Sequence, residues 1–186
     1  MTPLYAWRHP RAVGAAGRCI GRTELQVDPR RAKRLAHRIR ACARRERLPA
    51  IVLTSPQARC RAVGRWLARW GWRLRVDAAL CELDFGRWDG RRWADVPQAE
   101  VDAWCADFAH YRPGGGEPLA ALLQRVRGFD PGEAAVLVTH GGWLSAARWL
   151  EHAGDAAPRS RDWPPAPAPG ARVVLARRPD RRQAPG

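Results

Sequence analysis

Short apolar runs, each followed by a stretch of helical periodicity, constrain this chain more than any other feature. Leu4-Tyr5-Ala6-Trp7 and Ala134-Ala135-Val136-Leu137-Val138-Thr139 are too short for helices and too apolar for surface loops. Such runs read as strands buried on both faces of a parallel sheet. Strands alternating with helices imply an α/β fold: three layers, a mostly parallel central sheet flanked by helices. In open α/β sheets the chemistry gathers at the carboxyl ends of the strands. His9 stands just past the first run, after Arg8, and His140 stands just past the later one. Two strands should therefore deliver two imidazoles and a guanidinium to one sheet edge.

The pattern divides the chain as follows. Strands are expected over residues 3–7, 50–54, 74–76, 134–139 and, as an edge strand, 172–176. A Gly-containing loop spans 9–25. Asp28-Pro29 supplies an N-cap and first-turn pair. Ala32, Leu35, Ile39 and Cys42 then form one apolar helix face. Ser55-Pro56 should start and cap a second helix, with Ala62, Trp66, Leu67 and Trp70 inward and Gly71 ending it. Residues 80–116, rich in Trp, Gly and acidic side chains, break the alternation. They should form loops and one helix over 95–108, placed to cap a site. Helices are expected over 117–129, with Leu119, Leu122, Leu123 and Val126 apolar, and over 143–152. Residues 155–170 are rich in Pro and Ala and read as irregular. One domain over 1–176 and a basic, disordered tail over 177–186 complete the organisation. There is no internal repeat.

Length and charge bound the function. A chain of 186 residues with 46% apolar side chains can bury a real core. The net charge of +15 comes from 33 basic residues, of which only Lys33 is a lysine. A polyanionic partner such as nucleic acid is one explanation. An Arg-rich vocabulary on solvated helix faces is the favoured one, because much of the arginine, such as Arg30, Arg31, Arg34, Arg38, Arg44, Arg45 and Arg47, falls on predicted outer helix faces. The cysteines are Cys19, Cys42, Cys60, Cys81 and Cys105, an odd number without C-x-x-C spacing. That disfavours a disulfide framework or a zinc site and suggests a reducing cytoplasm. No signal peptide, transmembrane span or membrane partner is expected. His37, His110 and His152 lack ligand spacing and read as core or surface residues, so no metal and no cofactor is expected.

An Arg-His dipeptide is weak evidence alone, since roughly one is expected by chance in a chain this rich in both. Its position at a strand end carries the information. Arg59 adds to it, lying one turn into the helix that follows the second strand. Gly114-Gly115-Gly116 lacks the G-K-[S/T] sequel of a nucleotide loop. It reads as a flexible connection rather than a substrate-side loop.

Taken together, Arg8-His9, Ser55-Pro56-Gln57-Ala58-Arg59-Cys60, Glu82-Leu83-Asp84-Phe85-Gly86-Arg87-Trp88-Asp89-Gly90 and Val138-Thr139-His140-Gly141-Gly142 resemble the histidine phosphatase superfamily, with its phosphoglycerate-mutase-like fold. The resemblance runs from about residue 3 to 150. Within the superfamily, the loop Gly17-Arg18-Cys19-Ile20-Gly21-Arg22-Thr23-Glu24 and the stretch from Glu82 are similar to the α-ribazole phosphatases, enzymes of cobalamin nucleotide-loop assembly. The chain departs from the usual pattern at Pro10, Arg11, Ile20, Glu24 and Asp89, and at Trp143, Leu144 and Ser145. Several of these shape the pocket wall, and none removes a catalytic position. Trp143 reads as a core residue in preference to a stacking platform.

The resemblance implies that His9 is a nucleophile accepting a phosphoryl group. It makes Arg8, Arg59 and His140 ligands of the phosphoryl oxygens, and Glu82 the proton donor. Asp84, Asp89 and Glu117 compete with Glu82 on composition, Asp84 most closely. Arg22, Thr23 and Gly141 join the substrate-binding set. Phosphoryl transfer needs its oxygens held and neutralised, which guanidinium forks do well. His9 must attack through an unprotonated nitrogen, its other nitrogen donating to a fixed acceptor. His140 should be protonated beside a dianion, and activity should favour the acidic side of neutral. The implied enzyme is a metal-independent phosphomonoesterase acting on a small-molecule phosphate ester, α-ribazole 5′-phosphate foremost. The alternatives are a broad-specificity or sugar-phosphate phosphatase or mutase of the same fold and, of another class, a basic nucleic-acid-binding protein.

Overall fold

The fold is that of a computed structural model, which describes residues 3–177. Of the expected tail, only Arg177 falls among them, and it donates to the carbonyls of Gly132 and Ala134. The rest of the tail lies outside the described residues.

Among the described residues five strands form one sheet: β1 (Leu4–Arg8), β2 (Ile51–Thr54), β3 (Arg73–Val76), β4 (Val136–Thr139) and β5 (Arg172–Leu175). Their order is β3-β2-β4-β1-β5, parallel except for β5, which pairs antiparallel with β1. The helices are α1 (Pro29–Arg45), α2 (Ala58–Arg69), α3 (Gln98–Ala106), α4 (Leu119–Arg127) and α5 (Gly141–His152). Side chains alternate across the sheet, as strand geometry requires. Tyr5, Trp7, Val52, Val136 and Val138 pack with α1 and α2, whereas Leu4, Ala6, Leu53 and Leu137 pack with α4 and α5. Both faces are covered, which is why the strand sequences read as apolar runs rather than alternating ones. The three-layer α/β expectation holds.

The element ends differ from expectation for local reasons. Asp28 caps α1 as expected, accepting from Arg30 N at 2.7 Å. The second helix begins at Ala58, not Ser55. Ser55 does not cap it; Glu24, from the long loop, accepts from Ala58 N at 2.9 Å instead. Its buried face is Cys60, Val63, Gly64 and Leu67. Trp66 and Trp70, expected inward, are only half-buried and lie under the cations of Lys33, Arg69 and Arg40. The helix expected over 95–108 starts at Gln98, because a residue before proline avoids helical geometry, and Val96 before Pro97 is extended. Pro118 likewise delays α4 to Leu119.

The middle section contains a small aromatic core in which Trp88 is fully buried, with Trp104 and Tyr111 packed around it. The triglycine is not a flexible connection. A Cβ on Gly114 would lie 2.7 Å from Trp88 N, and one on Gly116 would lie 2.5 Å from Gly86 N. Only glycines allow these two backbones to meet, so the loop fastens 113–116 onto 84–88. Among the described residues no helix is long and apolar enough to cross a membrane, no three His, Cys, Asp or Glu side chains cluster as metal ligands would, and all five cysteines are free.

Candidate active site

The carboxyl ends of β1, β2 and β4 are adjacent in the sheet, so the residues just past them share one edge. Arg8 ends β1 and His9 follows it. His140 follows β4, and Ser55 follows β2. The His9 and His140 rings stand edge to face with centroids 5.1 Å apart. Arg59, on the first turn of α2, is fully buried and donates from Nε to His140 Nδ1 at 3.2 Å. Its Nη1 and Nη2 donate to the carbonyls of Thr23 (2.8 Å) and Gly21 (2.6 Å). One guanidinium thus ties the long loop to the second histidine.

His9 Nδ1 lies 2.7 Å from the Pro10 carbonyl. A carbonyl only accepts, so Nδ1 carries the proton and Nε2 of the neutral ring is bare. Burial, with Arg59 next in effect, pushes the His9 pKa down to about 3. His140 also lies well below the usual imidazole range, by burial and then by Arg59, His9, Arg8 and Arg22. The expected imidazolium at position 140 is therefore not what the protein groups alone favour.

Arg8 donates from Nη1 to the Pro167 carbonyl at 2.7 Å, and Gly170 N donates to the backbone carbonyls of Arg8 and His9. The Pro/Ala-rich segment is thus a wall of the site, which its irregular sequence did not suggest. Arg8 Nε is buried without an acceptor among the described residues. Gly141 lies against this guanidinium: a Cβ there would approach Arg8 Cζ to 3.1 Å and Ala166 Cβ to 3.0 Å.

Glu82 is buried at the start of α5. Its Oε2 accepts from Gly142 N (2.9 Å), and its Oε1 accepts from Trp143 N (3.2 Å) and Leu83 N (3.1 Å). The Gly142 and Trp143 groups are first-turn N–H groups with no partner inside the helix. Gly142 has no room for a side chain, because a Cβ would meet the Glu82 carboxylate.

The competing carboxylates have other partners. Asp84 accepts from Gly86 N at 2.8 Å and shapes its own turn. Asp89 collects the backbone N–H groups of Gly21, Arg22 and Thr23 and the Thr23 hydroxyl. Glu117 pairs with Arg125 at 2.9 Å and, more loosely, with Arg22 at 3.7 Å. Arg22 is 40% exposed at its side chain. Thr23 faces Asp89 and Arg59 through all its polar groups. Trp143 is a core residue, packed on Phe129 with its indole N–H on the Ala79 carbonyl.

Ser55 and Gln57 are site residues that sequence reasoning missed. His140 Nε2 lies 2.8 Å from Ser55 Oγ and 3.1 Å from Gln57 Oε1. Both are buried. The only signal was that Ser55 stands at a strand end, as the histidines do.

Two cationic forks, two neutral imidazoles and a buried carboxyl at one sheet edge fit phosphoryl chemistry, and the comparisons agree. The sequence matches the family model of the histidine phosphatase superfamily (branch 1) over residues 4–182, and the chain belongs to that superfamily. It is similar to the solved structure of TTHB049 from Thermus thermophilus, at 26% identity over 92% of each chain with a TM-score of 0.67. It is similar to phosphoglycerate mutase from the same organism, at 26% identity over 92% of this chain and 91% of that one, TM-score 0.66. It shares the fold of the α-ribazole phosphatase from Shigella flexneri, at 22% identity over 94% of each chain, TM-score 0.71. The phosphoglycerate-mutase-like fold is thereby shown. No curated protein matches the chain.

Proposed function

We propose that this protein is a phosphomonoester hydrolase working through a phosphohistidine at His9. The observation that carries the reading is the Pro10 carbonyl on His9 Nδ1. It leaves Nε2 as a free base at neutral pH. Nε2 attacks phosphorus, and the ester oxygen leaves with the bonding electrons and takes a proton from Glu82. Water then attacks the phosphohistidine, Glu82 takes the water's proton, and the N–P bond breaks to release phosphate and free His9.

Glu82 Oε1 already accepts two N–H groups and Oε2 accepts one. The carried proton therefore belongs on Oε2. Arg8 and Arg59 hold the phosphoryl oxygens. Arg8 Nε has no acceptor among the described residues, and a phosphoryl oxygen is such an acceptor. Arg59 keeps one N–H free on each terminal nitrogen after its bonds to the long loop. A bound dianion opposes the effects that keep His140 neutral and favours its protonation, which makes it a third donor.

The favoured substrate is α-ribazole 5′-phosphate. The support is the likeness of residues 17–24 and of the stretch from Glu82 to that enzyme group. The pocket takes a small-molecule ester and the reaction runs without metal, in the cytoplasm. The test is phosphate release in EDTA from α-ribazole 5′-phosphate and from an aryl phosphate, with wild type and His9→Ala. Turnover of the ribazole ester that His9→Ala abolishes is expected. Turnover of the aryl ester alone would keep phosphohistidine chemistry and reject the substrate. Release from neither would overturn the hydrolase reading.

A further inference from the structure

We infer that Gln57, together with Ser55, is a positioning residue that fixes the tautomer of His140 and makes its charging possible. The inference rests on the proposed site. His140 is fully buried, and both of its ring nitrogens are engaged. Arg59 Nε can only donate, so His140 Nδ1 accepts from it. Nε2 of the neutral ring then carries the hydrogen and points it at Ser55 Oγ and Gln57 Oε1. The Ser55 hydroxyl itself donates to Gln57 Oε1. One amide oxygen thus terminates a chain that runs from Arg59 through His140 and Ser55.

The chain decides what His140 can do when a phosphoryl group arrives. A buried imidazolium needs an acceptor on each N–H. The phosphoryl oxygen would take the new Nδ1–H once the His140 ring moves off Arg59 Nε–H, which the loop carbonyls hold in place. The Nε2–H keeps the acceptors it already has, Gln57 Oε1 and Ser55 Oγ. Without them the Nε2–H is buried unpaired, at a cost that is greatest on the charged ring, so the ring would stay neutral or flip. Gln57 is neutral, so it supports the charged ring without forcing it. The other groups facing this ring do not replace it. Arg59, Arg8, Arg22 and His9 all oppose a positive charge there. Cys60 Sγ lies 3.5 Å from Nε2 as a weak acceptor, and Cys81 Sγ reaches only Ser55 Oγ, at 4.0 Å.

The test is 15N NMR of His140 in wild type, Gln57→Leu, Gln57→Glu and Ser55→Ala, with and without inorganic phosphate, beside the pH profile of kcat/KM. Wild type should show the Nε2–H tautomer and gain Nδ1–H with phosphate. Gln57→Leu should lose that gain and bind phosphate roughly tenfold or more weakly, while keeping a native circular dichroism spectrum. Gln57→Glu, which retains the acceptor and adds charge, should raise the His140 titration and move the kcat/KM profile with it. An Nδ1–H tautomer in the free wild type would overturn the inference. So would a folded Gln57→Leu whose His140 still charges with phosphate. The tautomer is read without turnover, so these outcomes stay separate from failure of the hydrolase reading, which shows as wild-type inactivity.

Discussion

Two carboxylates of the same loop-rich stretch, Glu82 and Asp89, use the same chemistry to different ends. Each is surrounded by backbone N–H groups from a distant segment. Asp89 sits under residues 21–23, with both oxygens taken by Gly21, Arg22 and Thr23. Glu82 sits under the start of α5 and leaves one position on Oε2 open. Asp89 holds the same loop whose carbonyls Arg59 grips. A saturated carboxylate is a clamp, whereas one with an open position, close enough to act on the Arg8 guanidinium, can move a proton. Counting acceptor positions separates the roles where residue type does not.

The sharpest way to break that comparison is to remove the proton while keeping the shape. Glu82→Gln should lower turnover of an alkyl phosphate by about 10²–10⁴-fold, the range of general acid catalysis. With an aryl phosphate, whose leaving oxygen needs little protonation, the loss should be far smaller. Asp89→Asn should show no such leaving-group dependence. Steady-state kinetics on the two ester classes would check this, and equal losses on both for Glu82→Gln would remove it from the acid role.

Asp89→Asn should act instead on the loop. An asparagine has one acceptor oxygen where the carboxylate has two, so at least one donor of residues 21–23 loses its partner. The cost should be about 1.5–3 kcal/mol of stability, as for a hydrogen bond to a charged group. Arg59 is held by the same loop, so KM should rise more than kcat falls. Urea denaturation and KM together check it. An unchanged midpoint would mean that the clamp is redundant.

The chemistry at the ends of the parallel strands was legible in the sequence, and the walls were not. Arg8, His9, Arg59 and His140 stand where short apolar runs end, so strand geometry alone brings them to one edge. The partners that set their protonation lie elsewhere. Gln57 and Ser55 meet His140 across 83 and 85 residues, and no local pattern encodes that contact. Arg8 is held by the Pro167 carbonyl across 159 residues, and a carbonyl belongs to every residue type, so it leaves no mark on a sequence. The triglycine misread has the same origin. Its composition signals freedom, while its role comes from the close backbone of 84–88, visible only once the two segments meet. The expectation of a charged His140 concerns the ring beside a dianion; the burial and the guanidiniums that keep it neutral in the free protein come from distant segments and leave no local mark.

A further effect follows from those two neutral histidines, and it extends the comparison from carboxylates to imidazoles. An unfolded histidine takes up its proton near pH 6.5. In the folded chain His9 does so only near pH 3, and His140 is also well below the usual value. As pH falls below 6.5 the unfolded state binds protons that the folded state refuses, so stability must drop. It is fully present above that pH and declines toward about pH 3. The slope approaches about 1.4 kcal/mol per pH unit for each histidine. Glu46 and Glu100, whose ion pairs with Arg45 and Arg87 lower their pKa values, lose their contributions only below the ordinary carboxylate range. The interval from pH 6.5 to 5 therefore isolates the imidazoles. Urea midpoints of wild type at pH 7 and pH 5 should differ more than those of His9→Ala. Phosphate should shrink the difference, because it favours a protonated His140 in the folded state. Equal pH dependence in wild type and His9→Ala would mean that His9 titrates normally, and the free base at Nε2 would then need another source.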